Sequence, residues 1–225
     1  MIIVTGASGG IGNSLIKYLS SFDQVVGIYN NHKPNEVDNV IFAKVDLLNS
    51  ESINAFISKF KDQLNNITII HGAVLSIDQL AIKYEEEDWD KVIDVNLKSN
   101  YVLTKALLPF MLEKKYGRII SLSSVVGVNG AKGTLAYSAS KMGVYGLSRV
   151  YTAEYARFNI TSNVITLGYF ESGLIDTLGE KQRQEIISKI PSNKLGDVNN
   201  IFYAIKFLIE SNYCNGSVIT IDGGL

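Results

Sequence analysis

The sequence predicts an α/β protein, a doubly wound parallel sheet with helices on both of its faces. Short β-branched runs alternate with longer segments in which apolar residues recur every three or four positions, and these patterns are typical of strands and helices respectively. The strand-like runs are mostly apolar, which is expected only where both faces of a sheet are covered. With 225 residues, 46% of them hydrophobic, the chain is long enough for one core of this kind.

Seven strands are predicted, at Ile2–Thr5, Gln24–Tyr29, Val40–Val45, Ile67–His71, Arg118–Leu122, Ile160–Ile165 and Ser217–Ile221. Helices are predicted at Gly10–Ser21, Ser52–Leu64, Trp89–Lys115, Ala136–Phe158 and Val198–Glu210. Between Tyr29 and Val40 too few residues remain for a crossover helix, so we expect a shortened connection between the second and third strands. No linker divides residues 1–225, and we expect a single domain.

Composition argues against several classes of function. The formal net charge is −1, so the basic excess typical of partners of nucleic acid or anionic membranes is missing. No apolar run approaches the roughly 18 residues of a membrane span, and the opening run is too short for a signal peptide. The one cysteine, Cys214, fits a reducing compartment, and we expect a cytoplasmic protein. The two histidines have no metal-ligand spacing, so no metal is predicted.

A glycine-rich turn follows the first predicted strand and opens the first helix. Glycines accept positive φ and let the backbone approach a ligand, while free N–H groups at a helix start favour a pyrophosphate. The position predicts a dinucleotide site rather than tight packing alone. Its candidate binding residues are Gly6, Ser8, Gly9, Gly10, Ile11 and Gly12.

Tyr137 and Lys141 are four residues apart, which places them on one face of a helix, about 6 Å apart along the axis. A phenol with a pKa near 10 is a poor acid–base catalyst at neutral pH, and a neighbouring ammonium lowers that pKa. The pair therefore predicts a proton donor for a carbonyl oxygen during hydride transfer. Alone the pattern is weak, because the chain has 12 tyrosines.

Two more polar residues strengthen this prediction. Ser124 follows a strand thirteen residues before Tyr137, and ligands gather at the carboxyl ends of parallel strands. It can hold a carbonyl oxygen, although a helix cap is the simpler role. Asn96 lies within a predicted helix, where asparagine is unfavourable and often has another task. An exposed helical asparagine is its simpler interpretation.

The chain resembles the short-chain dehydrogenase/reductase family over nearly its whole length. The turn read as T-G-x-x-x-G-x-G stands in the family's order and spacing with Asp46-Leu47, Asn96, Ser124, Tyr137, Lys141, Asn163, Gly168 and Ile221-Asp222-Gly223-Gly224. The similarity is greatest to the single-domain branch that includes 3-oxoacyl-[acyl-carrier-protein] reductases. It implies a Rossmann-type sheet of about seven strands in the order 3-2-1-4-5-6-7.

The resemblance also implies roles. Tyr137 would be the general acid, Lys141 would lower its pKa and bind the nicotinamide ribose, and Ser124 would orient the carbonyl. Asn96 would hold a helix kink and a water that links Lys141 to solvent. The remaining cofactor contacts would come from Asp46 and Leu47 at the adenine, His71, Gly72 and Ala73 along the adenosine, and Gly168, Phe170 and Ser172 at the nicotinamide carboxamide.

Three positions depart from the family's pattern. The usual Asn-Ala-Gly begins with His71, the usual Pro-Gly begins with Leu167, and Ser172 replaces a threonine. The catalytic set is complete, so a working enzyme is favoured. A nucleotide-sensing regulator on the same fold remains the alternative.

The cofactor predicted is NADP(H) rather than NAD(H). A carboxylate at the end of the second strand would repel a 2′-phosphate, but Asn30, Asn31 and Lys33 stand there instead. Gly9 opposes this assignment, because many NADP-using relatives carry arginine at that position.

The predicted reaction is reduction of a ketone, or oxidation of the matching secondary alcohol, on a small-molecule substrate such as a 3-oxoacyl thioester. Enoyl reductases of the family space their tyrosine and lysine more widely, and Val144 fills the later position here. Epimerases need a longer substrate domain. Residues 173–194 form the expected substrate lid and do not identify the substrate. We expect a homodimer or homotetramer built through 89–115, 136–158 and the C-terminal strand.

Overall fold

A computed structural model describes residues 1–173, 175 and 178–225. Within them, seven parallel strands form one sheet in the order β3-β2-β1-β4-β5-β6-β7, so the predicted order is confirmed. The strands are β1 (Ile2–Thr5), β2 (Val25–Tyr29), β3 (Val40–Lys44), β4 (Ile67–His71), β5 (Gly117–Ser124), β6 (Ile160–Leu167) and β7 (Val218–Ile221).

Helices cover both faces of this sheet. The described α-helices are α1 (Gly10–Leu19), α2 (Ser50–Phe60), α3 (Glu86–Ile93), α4 (Ser99–Lys114), α5 (Val125–Asn129), α6 (Leu135–Tyr155), α7 (Glu180–Ile187) and α8 (Val198–Glu210). Alternate residues of each strand face opposite layers. In β1, Ile3 packs in the core beneath α2, α4 and α6, whereas Ile2 and Val4 pack beneath α1 and α8.

The connection from β2 to β3 spans residues 30–39 and contains no helix, as predicted. The predicted helix over residues 89–115 is wrong in detail. It begins at Glu86, because three acidic residues occupy the first turn, where the helix dipole favours them. It is also interrupted by a π-helical segment at Asp94–Lys98. Among the described residues, no helix is both long and apolar enough to cross a membrane.

Candidate active site

The candidate catalytic residues meet above the carboxyl end of β5. Ser124 ends that strand, and its Oγ accepts a hydrogen bond of 3.2 Å from the N–H of Val126, so it also caps α5. Tyr137 lies in the first turn of α6, which returns across the end of β5 after a short loop. The cap role and the proposed catalytic role of Ser124 are therefore compatible.

Tyr137 is buried, with 8% of its surface exposed. Burial raises the pKa of Tyr137, a hydrogen bond with Ser124 lowers it in part, and the nearby Tyr169 and Asp78 raise it further. The net direction is upward, opposite to the lowering that the tyrosine–lysine spacing predicts. The phenol is therefore protonated at neutral pH and is available as a proton donor.

Lys141 is also buried, and its Nζ donates a hydrogen bond of 2.9 Å to the carbonyl oxygen of Leu122. The ammonium nitrogen lies 5.7 Å from the centre of the Tyr137 ring. Burial lowers the pKa of Lys141 to about 8. Lys141 therefore exchanges a proton at a much lower pH than an exposed lysine does.

Asn96 is buried in the π-helical segment, where the N–H of Ser99 bonds to the carbonyl of Asp94, five residues earlier. Its Nδ2 donates to the Leu75 carbonyl at 2.9 Å and to the Ser140 hydroxyl at 3.0 Å, and its Oδ1 accepts from the Leu75 N–H at 2.7 Å. Asn96 thus joins the loop after β4 to α6. The interpretation as an exposed asparagine is wrong.

The glycine-rich turn requires its glycines for space. Gly6 has a φ of 74°, and a Cβ placed on it would lie 2.6 Å from the Gly72 carbonyl oxygen. A Cβ on Gly12 would overlap the Gly6 carbonyl oxygen. The Thr5 hydroxyl accepts hydrogen bonds from the N–H groups of Gly72 and Ala73, at 3.0 and 3.1 Å. The turn is therefore locked against the end of β4.

A family model described as short chain dehydrogenase matches residues 1–183. The chain belongs to the short-chain dehydrogenase family. It is 37% identical over 233 residues to the 3-oxoacyl-[acyl-carrier-protein] reductase FabG of Rickettsia typhi, covering 99% of this chain and 95% of that protein. It is 34% identical to nodulation protein G of Rhizobium sp. strain N33, with the same coverages. The family and these relatives make it an NAD(P)-dependent oxidoreductase.

A solved structure shares the fold of this chain. A putative gluconate dehydrogenase from Agrobacterium tumefaciens superposes with a TM-score of 0.91 over 99% of this chain and 94% of that one, at 22% identity. Because the identity is low, the superposition supports the Rossmann-type fold of this dehydrogenase and says nothing of its substrate.

The predicted cofactor residues of this dehydrogenase divide into buried and exposed groups. Asn30, Asn31 and Lys33 are exposed beyond the end of β2, and Lys33 Nζ lies 3.6 Å from Glu36 Oε1. Such an exposed pair contributes little, so Lys33 is available to an anion. Asp46 is exposed and its Oδ1 accepts from the Leu48 N–H at 2.9 Å. Leu47 is half-buried, and Ser8 and Gly9 are exposed in the glycine-rich turn.

His71 does not present its ring to the cofactor side. The imidazole is 2% exposed, and its Nε2 lies 2.8 Å from the Thr104 hydroxyl of α4. Burial lowers the pKa of His71 to about 3, so the ring is neutral. Its Nδ1 is buried with no partner among the described residues. Any contact of His71 with a cofactor is therefore limited to its backbone at the end of β4.

The residues predicted to contact the nicotinamide lie in the chain after β6. The Gly168 N–H donates to the Ile221 carbonyl at 2.9 Å, and a Cβ on Gly168 would lie 2.6 Å from the Asp222 Cα. Phe170 is 3% exposed, so it offers only its backbone. A Cβ on Gly10 would lie 2.6 Å from the Ser172 hydroxyl, which places Ser172 directly against the glycine-rich turn.

Sequence reasoning missed several residues that hold the site together. Ser140 accepts from Asn96 and donates to the Tyr137 carbonyl at 2.7 Å. Ser123 donates to the Lys141 carbonyl at 2.8 Å. Hydroxyls inside an otherwise apolar strand or helix were the available signal, but their partners depend on tertiary structure. Tyr169 and Asp78 were not assigned to the catalytic chemistry either.

Proposed function

We propose that this dehydrogenase reduces a ketone to a secondary alcohol with NADPH, using Asn96, Ser124, Tyr137 and Lys141. The observation that carries the proposal is the placement of the buried Tyr137 and Lys141 on one face of α6, with the Lys141 Nζ 5.7 Å from the centre of the Tyr137 ring and Ser124 at the adjoining end of β5. A protonated phenol and a hydroxyl at one strand end are suited to a carbonyl oxygen.

The residues present fit a dinucleotide. Gly6 and Gly12 have no space for a side chain, and α1 begins at Gly10 with free N–H groups in its first turn. When bound, the cofactor supplies the hydride. Gly6, Ser8, Gly9, Gly10, Ile11 and Gly12 would hold its phosphates, Asp46, Leu47, His71, Gly72 and Ala73 its adenosine, and Gly168, Phe170 and Ser172 its nicotinamide.

Side chains of the protein donate the proton and replace it. Tyr137 donates its phenolic proton to the substrate oxygen, while the Ser124 hydroxyl donates a hydrogen bond to the same oxygen and holds it in place. Lys141 stabilises the resulting phenolate and, with its pKa of about 8, returns a proton to it. Asn96 keeps Leu75 and Ser140 in position around this pair.

The preference for NADPH is supported by the exposed end of β2. Asn30, Asn31 and Lys33 are exposed there, and the nearest acidic residue in sequence, Glu36, lies 3.6 Å from Lys33. A 2′-phosphate would meet amides and an ammonium rather than a lone carboxylate. Equal or faster turnover with NADH than with NADPH would reject this preference.

A 3-oxoacyl thioester or a related ketone is the proposed substrate. The Rickettsia typhi relative is a 3-oxoacyl-[acyl-carrier-protein] reductase by name, which supports this substrate. So do exposed apolar side chains on the loop after β4 and around α5, namely Val74, Leu80, Val128 and Leu135, since an acyl chain can lie against such side chains. Residues 173–194 are proposed as a lid within a single domain. Their described part includes α7 and the buried Ile190, and residues 174, 176 and 177 lie outside the described residues.

The proposal is tested by NADPH consumption across 3-oxoacyl thioesters, sugar ketones and quinones. We expect turnover of a 3-oxoacyl thioester and a loss of at least about 100-fold in kcat for Tyr137→Phe, because the proton donor is removed. NADPH binding without turnover of any carbonyl would favour the nucleotide-sensing regulator instead. Unchanged turnover in Tyr137→Phe would reject the proposed mechanism.

A further inference from the structure

Tyr145 continues the stripe of α6 that carries Tyr137 and Lys141, each one helical turn from the next. The catalytic proposal gives Tyr145 no task. Its hydroxyl lies 2.5 Å from the Thr166 hydroxyl, a short hydrogen bond between α6 and β6. Thr166 is 1% exposed and stands two residues before Gly168. The bond therefore joins the catalytic helix to the strand that leads into the proposed nicotinamide turn.

A second hydrogen bond lies directly beside it. Ser123 of β5 donates to the Lys141 carbonyl at 2.8 Å, and Ser123 faces Thr166 in the parallel register of β5 and β6. Two neighbouring strands thus hold two successive turns of α6 through one hydroxyl each. Both attachments lie beneath the face that bears Tyr137.

Leu167 makes the Thr166 attachment important. The family's usual proline at this position would fix φ by its ring, whereas leucine leaves φ free. The turn that follows is held to other segments, because the Gly168 N–H bonds to Ile221 and the Gly196 N–H bonds to the Tyr169 carbonyl at 2.8 Å. Only the Thr166 bond among these connects this end of β6 to α6.

We propose that Tyr145 and Thr166 are a positioning pair that sets the distance between the Tyr137–Lys141 face of α6 and the backbone that receives the nicotinamide. The inference rests on the proposed function, which assigns residues 168–172 to the nicotinamide. Without the bond, the Thr166 hydroxyl is left buried without its partner. The bonds from Ser148 and Thr152 to the Ser162 carbonyl still hold α6 to β6, but the end of β6 near Leu167 loses its attachment to the helix. Hydride transfer is sensitive to small shifts there, because reacting atoms must be held close together.

The experiment compares Tyr145→Phe, Thr166→Val and the double variant with wild type. Tyr155→Phe is the matched control, since it makes the same change on a half-buried tyrosine at the far end of α6. We expect kcat to fall about fivefold in each single variant, the effect of one hydrogen bond, and no further in the double variant. Affinity for 2′,5′-ADP, which carries only the adenosine half of NADPH, stays unchanged. Thr166→Ser keeps the hydroxyl and retains the wild-type kcat.

Three results would overturn the pair. These are a kcat within about twofold of wild type in both single variants, losses that multiply in the double variant, or an equal loss of 2′,5′-ADP affinity. The last would mean general damage to the fold rather than misplacement of the nicotinamide.

The experiments distinguish failure of the proposed function from failure of the proposed role of Tyr145 and Thr166. If wild type turns over no carbonyl, the proposed function fails, and hydrogen exchange still tests the attachment. Amides of residues 166–171 are then expected to exchange faster in Tyr145→Phe than in wild type or Tyr155→Phe. Exchange that is unchanged in Tyr145→Phe would overturn the pair.

Discussion

Replacing Asn96 by alanine removes three hydrogen bonds at once, of 2.7, 2.9 and 3.0 Å. Each contributes about 1 kcal/mol net, so about 3 kcal/mol of unfolding free energy is at stake. Alanine regains about 0.5 kcal/mol through its higher helix propensity. The expected loss is therefore about 2–3 kcal/mol, and Asn200→Ala, which changes an exposed asparagine with one bond of 3.0 Å to Asp197, should lose less than about 0.5 kcal/mol.

Urea unfolding measures this difference directly. In the same samples, kcat should fall further than stability alone accounts for, because Ser140 loses its link to Asn96 beside Tyr137 and Lys141. A loss in Asn96→Ala no larger than that in Asn200→Ala would refute the role of Asn96 in joining the loop after β4 to α6.

Three further predictions concern Gly12 in the glycine-rich turn, the exposed Lys33 and the buried Lys141. Gly12→Ala should lower NADPH affinity at least about tenfold in a fluorescence titration, because its Cβ would overlap the Gly6 carbonyl oxygen; unaltered affinity would contradict the described turn. Lys33→Glu should weaken binding of NADPH more than of NADH, and equal effects would remove Lys33 from the phosphate site. Burial lowers the pKa of Lys141 to about 8, so its charged form penalises folding fully below pH 8. The stability of wild type relative to Lys141→Met should therefore rise between pH 8 and 9.5, and a flat difference would count against the burial argument.

Most strands of the sheet could be predicted because each is indicated by residues that are adjacent in the sequence. Ile2–Thr5 and Ile67–His71 consist almost wholly of β-branched residues, and each is followed by glycine, so their type and approximate ends follow from neighbouring residues. The strand order came from the family resemblance, since periodicity carries no information on which strands pair.

The sequence could name the candidate site residues, whose roles stay predictions, but it could not give the energetics of their contacts. Asn96 was singled out as an unfavourable helical residue, yet its partner Leu75 is 21 positions away. The pKa of Tyr137 shifts upward mainly because the phenol is buried, and the charges of Tyr169 and Asp78, which are distant in sequence, raise it further. The hydrogen-bond partner of His71 is Thr104, which lies 33 residues later in the sequence. Such terms depend on tertiary packing that no local pattern encodes.

The cytoplasmic location, the homodimer or homotetramer, and the expected lack of a metal, nucleic-acid or membrane partner all stay predictions. Oligomeric state is measured by light scattering of the purified protein across a concentration series. A monomer at every concentration would reject the interface expected through α4, α6 and β7.

The close approach of Gly10 to Gly173, the first residue of the proposed lid, limits which residues can be exchanged in protein engineering. A Cβ on Gly10 would lie 2.5 Å from the Gly173 nitrogen, and Gly173 itself has a φ of 104°. At the other end, Gly196 is bonded to Tyr169. Gly173 is thus held against the glycine-rich turn, and Gly196, just beyond the proposed lid, is held against the segment after β6. A graft that exchanges residues 174–194 for those of a relative should alter substrate choice while the cleft keeps its shape.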